Sequence, residues 1–311
     1  MTDIHIIAPF LDANGGDWPA IDLYLSLSSG KENNVQLWSP QTPDQALRAL
    51  YPINEIKPYQ GKLPTSGILY VSGALTEIGH WYEQAKFEKI IVIHNLFSPE
   101  VLYKGLNRLT LNGTRKVEIQ YVSNMLKETI GLAGEVVYPL PHPERFQPLE
   151  RQTRQGQFTV GRISRDAISK HHYGDPDFYR KLVAHDMRIK IIGGTCLKPW
   201  LADAQNIELL PEVPQASIPA VLNTLDCFYY RTALGIKEAF GLVVAEAMLC
   251  GLPVVCYRQG GYSEVIEHGV NGFLFDTEGE AFEMICELQN NAVLRQTIGQ
   301  KARELTKGMP R

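Results

Sequence analysis

Residues 237–275 read KEAFGLVVAEAMLCGLPVVCYRQGGYSEVIEHGVNGFLF, and the elements they imply decide the fold. Leu242 to Cys250 are good helix formers, and Gly251 and Pro253 follow them as a stop signal. The spacing therefore predicts a short helix starting at or just after Gly241, its first amides unsatisfied and its positive end turned to the preceding loop. Val254–Tyr257 reads as a short buried strand, and Gly260-Gly261 opens a tight turn before a second helix at about Glu264 to His268. A helix start of this kind suits an anion, phosphate above all. Glu246 in its first two turns can hold a diol such as a ribose, and Glu238, seven intervening residues earlier, a second hydroxylated group. Gly241 between them leaves room for close approach by a ligand. The competing reading makes Glu246 a solvated helix residue and the glycines punctuation, and residue by residue the two stand level.

The pieces taken jointly say more. EAFGLVVAEAMLCGLPVV followed by GGYSEVIEHGVNGFLF resembles the donor-binding segment of the retaining glycosyltransferases of family 4, proteins of the two-domain GT-B fold. An E-x7-E spacing recurs by chance, whereas FGL, EAM, G-x-PVV and GG-x-x-EVI-x-x-G-x-NG in order do not. The resemblance implies an α/β architecture of two Rossmann-like parallel-sheet lobes facing an interdomain cleft.

Length and composition agree with two lobes. The 311 residues can form two cores of ordinary domain size. With 44% hydrophobic and 21% charged residues and no run of about 18 apolar residues, neither disorder nor a membrane-spanning helix is expected. A net charge of −4 argues against nucleic acid as partner. The five cysteines, all in the second half and without a C-x-x-C pair, argue against zinc and a disulfide framework. With an N-terminus that reads as a strand, this gives a cytoplasmic location as the expectation, with a peripheral membrane association open.

In the first lobe, Ile4–Ile7 is an apolar strand that leads into Asn14-Gly15-Gly16-Asp17 and a helix pattern over about 18–27. Strand patterns follow at Val35–Trp38, Gly67–Val71, Lys89–Ile93 and Glu118–Val122, with helical stretches at about 43–50, 76–86 and 99–105. That alternation marks a parallel sheet, whose ligands sit at the carboxyl ends of the strands. His94 directly follows one strand, so its imidazole is expected at that edge; a structural histidine is the alternative. The resemblance implies that Gly15 and Gly16 face the donor diphosphate and that His94 points towards the sugar and acceptor. Ser123 reads as a helix cap. The basic group Lys104, Arg108, Arg115, Lys116 and Lys127 reads as a solvated face ahead of an acceptor or membrane-lipid site.

A proline-rich stretch from Tyr138 to Pro148 reads as the linker, which puts the boundary near 150, between an acceptor-side domain 1–150 and a donor-binding domain 151–311. Phe158–Arg165 then restarts the strand-loop pattern, a strand that delivers Arg162 to a loop that also carries Lys170, two cations suited to a departing diphosphate. The family keeps a basic pair here; this loop is longer and has His171 where the family has Gly, so Arg165 stands as a substitute for Lys170. Asp175-Pro176-Asp177 looks like a metal-binding D-x-D but reads better as a helix start, so no metal is expected. The resemblance places the nucleobase near Gly193 and Val213, in the turns after Arg188–Ile192 and Ile207–Leu210. Members of the family usually carry more helix after the last pattern here, returning to the first lobe; this sequence ends at Arg311.

The expected activity is transfer of a sugar, with retention, from a UDP- or GDP-linked donor to a hydroxyl acceptor, glycan, lipid-linked or small, without a cofactor. Glu246 would hold the ribose, Glu238 and the amides of Phe240, Gly241, Leu242 and Val243 the sugar, and Arg162 with Lys170 the diphosphate. A nucleotide-sugar epimerase and a two-lobed sugar-binding protein without chemistry remain alternatives. Base, sugar, acceptor and oligomeric state are not readable from these residues.

Overall fold

The computed structural model describes residues 2–13, 16–30, 32–110, 116–149 and 156–310. The chain falls into two compact units that part between His142 and Pro143, inside the proline-rich stretch. The boundary expected near 150 falls at the edge of residues 150–155, which lie outside the described ones.

The first unit runs β1 (Thr2–Ile7), α1 (Trp18–Ser28), β2 (Asn33–Ser39), α2 (Gln45–Leu50), β3 (Ile53–Glu55), β4 (Ser66–Ser72), β5 (Lys86–His94), α3 (Pro99–Thr110), β6 (Val117–Tyr121), α4 (Asn124–Ile130) and β7 (Glu135–Val136). Its seven strands pair in parallel in the order β3-β2-β1-β4-β5-β6-β7. Parallel strands covered on both faces need apolar runs, and Ile4, Ile6, Ile7, Leu69, Ile90 and Ile91 supply them, all buried. The helix expected over 76–86 does not form. Gly79 takes a left-handed φ of 71°, only a 3₁₀ turn follows at Trp81–Gln84, and β5 has begun by Lys86. Trp81 and Tyr82 pack instead, the first edge-on to Phe87 at 6.3 Å, the second through its hydroxyl to the carbonyl of Arg108. The strands β3 and β7 escaped the reading because three and two residues are too few to show a period.

The second unit runs β8 (Phe158–Ile163), α5 (Asp175–Val183), β9 (Met187–Ile192), α6 (Lys198–Leu201), β10 (Ile207–Leu210), α7 (Ile218–Leu222), β11 (Cys227–Tyr230), α8 (Leu242–Leu249), β12 (Val254–Tyr257), β13 (Phe273–Phe275), α9 (Glu278–Asn290) and α10 (Ala292–Gly308). Six parallel strands lie in the order β10-β9-β8-β11-β12-β13. Both sheets thus wind outward in two directions from a central pair, β1/β4 and β8/β11, and ligands of such sheets sit outside the carboxyl ends of that pair. Residues Val244 to Leu249 are buried on every face, because α8 has the sheet on one side and α10 on the other. Gly251, at φ 71°, ends it as expected.

The second helix of the decisive stretch does not form either. A 3₁₀ turn, Gly261–Val265, gives way to extended Ile266. Asn271 accounts for the change: its side chain accepts from the Glu267 amide at 2.7 Å and donates to the Val265 carbonyl at 3.0 Å, which leaves no helical partner for either. Phe273–Phe275 form the edge strand β13.

Candidate active site

Since β8 and β11 are neighbours, with Cys227 opposite Val160 and Phe228 opposite Gly161, the polar residues near their carboxyl ends meet. Arg162 lies 4.7 Å over the Tyr230 ring and donates from Nη2 to the Lys170 carbonyl. Lys170 closes the 3₁₀ turn Ile168–Lys170, and its Nζ is 2.5 Å from Glu238 Oε1. The Tyr230 hydroxyl donates to the same oxygen at 3.0 Å. Burial first, and the Glu238 charge second, hold the Tyr230 pKa well above its usual value, so the hydroxyl stays a donor. Glu238 Oε2 is left as the acceptor available to a ligand.

The sequence reading put Arg162 on the loop that follows the strand, together with Lys170. It lies inside β8 instead, only 1% exposed, with Nε and Nη1 making no hydrogen bond. Burial works against its charge, but Tyr179 and Asp175 outweigh that and the guanidinium stays protonated. It fixes the Lys170 turn and supplies positive potential from beneath; Lys170, with a side chain 18% exposed, is the cation a ligand can reach. Arg165, the substitute, is exposed and in no ion pair among the described residues.

The helix α8 starts where expected. Gly241 is its N-cap at φ 90°, and no side chain caps the amides of the first turn. The room left by Gly241 is filled, however. A Cβ on Gly241 would stand 2.6 Å from the Tyr262 ring and one on Gly260 2.5 Å from it, so the two glycines clasp a protein side chain and not a ligand. Phe240 is buried, while Leu242 and Val243 are half-buried at the helix start. Glu246 is 5% exposed and accepts from Gln215 Nε2 at 2.5 Å, which overturns its reading as a solvated residue. Val213 is half-buried two positions before Gln215, on the loop that reaches Glu246. Gly193 has a structural duty: at φ 70° its Cβ would fall 1.9 Å from the Ser164 carbonyl oxygen, and its own carbonyl accepts from His171 Nε2 at 3.1 Å. Burial, then the Arg162 charge, push the His171 pKa down to about 4, so the ring is neutral at pH 7.

Asp175 opens α5 with Pro176 behind it, as the helix-start reading has it. It is fully buried and accepts from Arg231 Nε at 2.6 Å. Among the described residues no three His, Cys, Asp or Glu side chains gather as a metal ligand set. In the first unit, Ser123 caps α4 through the Leu126 amide at 3.2 Å. Gly15 lies outside the described residues, and Gly16 is exposed with open space around it. His94, the last residue of β5, is fully buried, edge-on to Tyr121 at 6.1 Å, and neither ring nitrogen makes a hydrogen bond of normal geometry. Burial, opposed by the Leu96 backbone, lowers its pKa. His94 thus stands at the expected strand edge, with its imidazole buried.

Three residues of the site were not foreseen. Tyr230 could have been found by applying to β11 the strand-end rule used for His94. Tyr262 was signalled by two glycines that both needed a bulky neighbour. Gln215 had no sequence signal, since only the fold brings it to Glu246.

Comparison with known proteins agrees with the second unit in particular. Residues 181–305 match the family model of glycosyl transferases group 1. An uncharacterized glycosyltransferase of Methanocaldococcus jannaschii is 33% identical over 43% of this chain and 37% of its own. The N-acetyl-alpha-D-glucosaminyl L-malate synthase of Bacillus anthracis is 46% identical over 22% of this chain and 18% of its own. The matches thus span well under half the length of these curated relatives. Among solved structures, Anabaena HepE in complex with UDP and glucose superposes with a TM-score of 0.71 at 18% identity, over 98% of this chain and 95% of that one. Residues 181–305 are therefore similar to glycosyl transferases group 1, and the chain that carries them has the GT-B fold.

Proposed function

We propose that the chain is a retaining, metal-independent glycosyltransferase that moves a sugar from a nucleoside-diphosphate donor to a hydroxyl acceptor. The observation that carries this is the grouping, within one unit, of the uncapped start of α8, two carboxylates, half-buried Glu238 and buried Glu246, and the Lys170 ammonium beside buried Arg162. Amides and cations suit the two phosphates, and each carboxylate suits a pair of hydroxyls. That the Anabaena protein was solved with UDP and glucose favours a UDP-linked hexose.

Donor entry exchanges Gln215 for ribose hydroxyls on Glu246, while Glu238 Oε2 receives a sugar hydroxyl. The bond from the anomeric carbon to the phosphate oxygen breaks, the acceptor oxygen bonds to that carbon on the same face, and the acceptor proton passes to the departing phosphate. Lys170, with the α8 amides, stabilises the charge that develops there. With these cations in place, and Asp175 committed to Arg231, the positive charge needed at the diphosphate comes from the protein. The cysteines described are all free, in keeping with a cytoplasmic setting, and no described helix is long and apolar enough to cross a membrane.

The test is incubation with UDP-, GDP- and ADP-hexoses, with and without a panel of hydroxyl acceptors, reading free nucleoside diphosphate. Release that depends on both one donor and an acceptor is expected, and Glu246→Ala should raise the donor Kd about 10-fold. Release without any acceptor points to an epimerase-type reaction. Tight binding without release points to a binding protein.

A further inference from the structure

We propose that the first unit holds a separate ligand site, a groove for a small amphiphile with a hydrocarbon body and an anionic head. The groove lies between residues 73–78, which follow β4, and the helix α3, and it encloses about 300 Å³. Ligand sites are of this size. Its floor is Val71 and Val92, register partners near the carboxyl ends of β4 and β5 and both buried, with Ile78 and Leu109 beside them. Leu75 stands at the mouth, 71% exposed.

One face of α3 forms the opposite wall: Val101, Lys104, Gly105, Arg108 and Leu109 recur at helical spacing and all line the groove. Lys104 and Arg108 are one turn apart, exposed, and in no ion pair among the described residues, while Lys89 and Lys116 of the same unit are both engaged by Glu118. Of the group that read as a solvated basic face, these two alone are placed on a concave apolar surface; Arg115 lies outside the described residues. Glu77 lines the other side, so an anionic head is repelled there and drawn to the α3 wall. A hydrocarbon body covers the apolar floor, and the head completes the two cations.

Gly105 gives the second, independent observation. It sits inside a helix of 12 residues, where glycine costs about 1 kcal/mol against alanine, and nothing in the packing calls for it. A Cβ there would meet no atom within 4 Å, and its φ is not left-handed. The one thing its missing side chain provides is depth on the groove face. The inference does not depend on whether the second unit binds a nucleotide sugar.

The test is calorimetric titration of the full chain with decyl phosphate below its micellar concentration, beside 1-decanol and inorganic phosphate. Saturable binding of one decyl phosphate per chain is expected, at least 10-fold tighter than either fragment. Gly105→Leu, which fills the groove, should weaken it at least 10-fold without lowering the melting temperature. The double variant Lys104→Ala/Arg108→Ala should weaken decyl phosphate as much while leaving decanol unchanged, and it carries the test should the leucine variant not fold. Co-sedimentation with phosphatidylglycerol vesicles distinguishes a bilayer lipid from a free amphiphile as the source, provided that Gly105→Leu reduces it too. Equal decyl phosphate affinity in wild type and both variants, or vesicle binding indifferent to Gly105→Leu, overturns the proposal.

Discussion

At the central strand pair of the second unit, Arg162 and Tyr230 share one network with Lys170 and Glu238. At the matching strand ends of the first unit stand Ile7, buried and apolar, and Ser72, whose carbonyl is taken up by the Thr76 hydroxyl. Strand order is the same outward from that pair, with one strand more in the first unit. Topology therefore opens a place for a ligand in both, and the side chains at the strand ends decide whether polar chemistry is built there. In the second unit charges are buried together and answer one another; in the first, His94 is buried beside an aromatic ring and no charge.

The largest expected contrast is between two glycines. In the second unit Gly193→Ala forces a Cβ to within 1.9 Å of the Ser164 carbonyl oxygen at a φ of 70°, and strain plus overpacking should cost about 3–5 kcal/mol. In the first unit Gly16→Ala meets nothing within 4 Å and should change stability by less than about 0.5 kcal/mol. Urea unfolding of both variants measures the difference, and a Gly193→Ala protein as stable as wild type would show that the turn beside Ser164 yields.

These two glycines also show how far the sequence could be read. The strand-helix rhythm and the start of α8 were legible because they rest on local periodicity and on Gly and Pro punctuation. Gly193, Gly241 and Gly260 were recognised as special, but the partners that make them so, Ser164 and Tyr262, come from elsewhere in the chain. At Gly241 a reading by spacing alone assigned that room to a ligand. Likewise the pairing of Arg162 with Tyr230 depends on β8 lying beside β11, a non-consecutive crossover that no local pattern reveals. Glu246 could be placed on its helix, but its burial under Gln215 could not.

The next effect in size is a pH dependence confined to the second unit's network. His171 is held neutral, its pKa at about 4 against an ordinary 6.5, by burial and by Arg162. The unfolded chain therefore binds a proton that the folded one refuses between those values. The stability this gives is fully present above about pH 6.5 and is lost as pH falls towards 4, up to about 3 kcal/mol. Subtracting the pH–stability curve of His171→Gln from that of wild type isolates it from the other histidines. A flat difference curve would mean that the ring protonates in place beside Arg162.

Smaller again is the loss of one hydroxyl. Tyr230→Phe keeps the ring under Arg162 and removes the 3.0 Å donor to Glu238 Oε1, and a hydrogen bond to a carboxylate of this kind is worth about 1.5 kcal/mol. Lys170 still holds the same oxygen, so the loss should not exceed that figure in urea unfolding. A loss several times larger would mean that Tyr230 and Lys170 hold Glu238 only as a pair.

The smallest expected effect is at the strand-end residue with which Tyr230 is best compared. His94 has no normal hydrogen bond to lose, and its ring touches Tyr121 edge-on at 6.1 Å. His94→Leu exchanges a buried polar ring that makes no hydrogen bond of normal geometry for an apolar side chain of similar bulk, so the penalty of a poorly satisfied group disappears as packing changes slightly. Stability should stay within about 1 kcal/mol of wild type, on the favourable side if either. Any loss of sugar transfer in that variant would then be chemical and not structural, and would give His94 the role towards sugar and acceptor that the family resemblance implies. A destabilisation as large as that of Gly193→Ala would instead make His94 a packing residue, and the first unit would have no polar group at its strand ends left to assign to the acceptor among those singled out from the sequence and described in the structure.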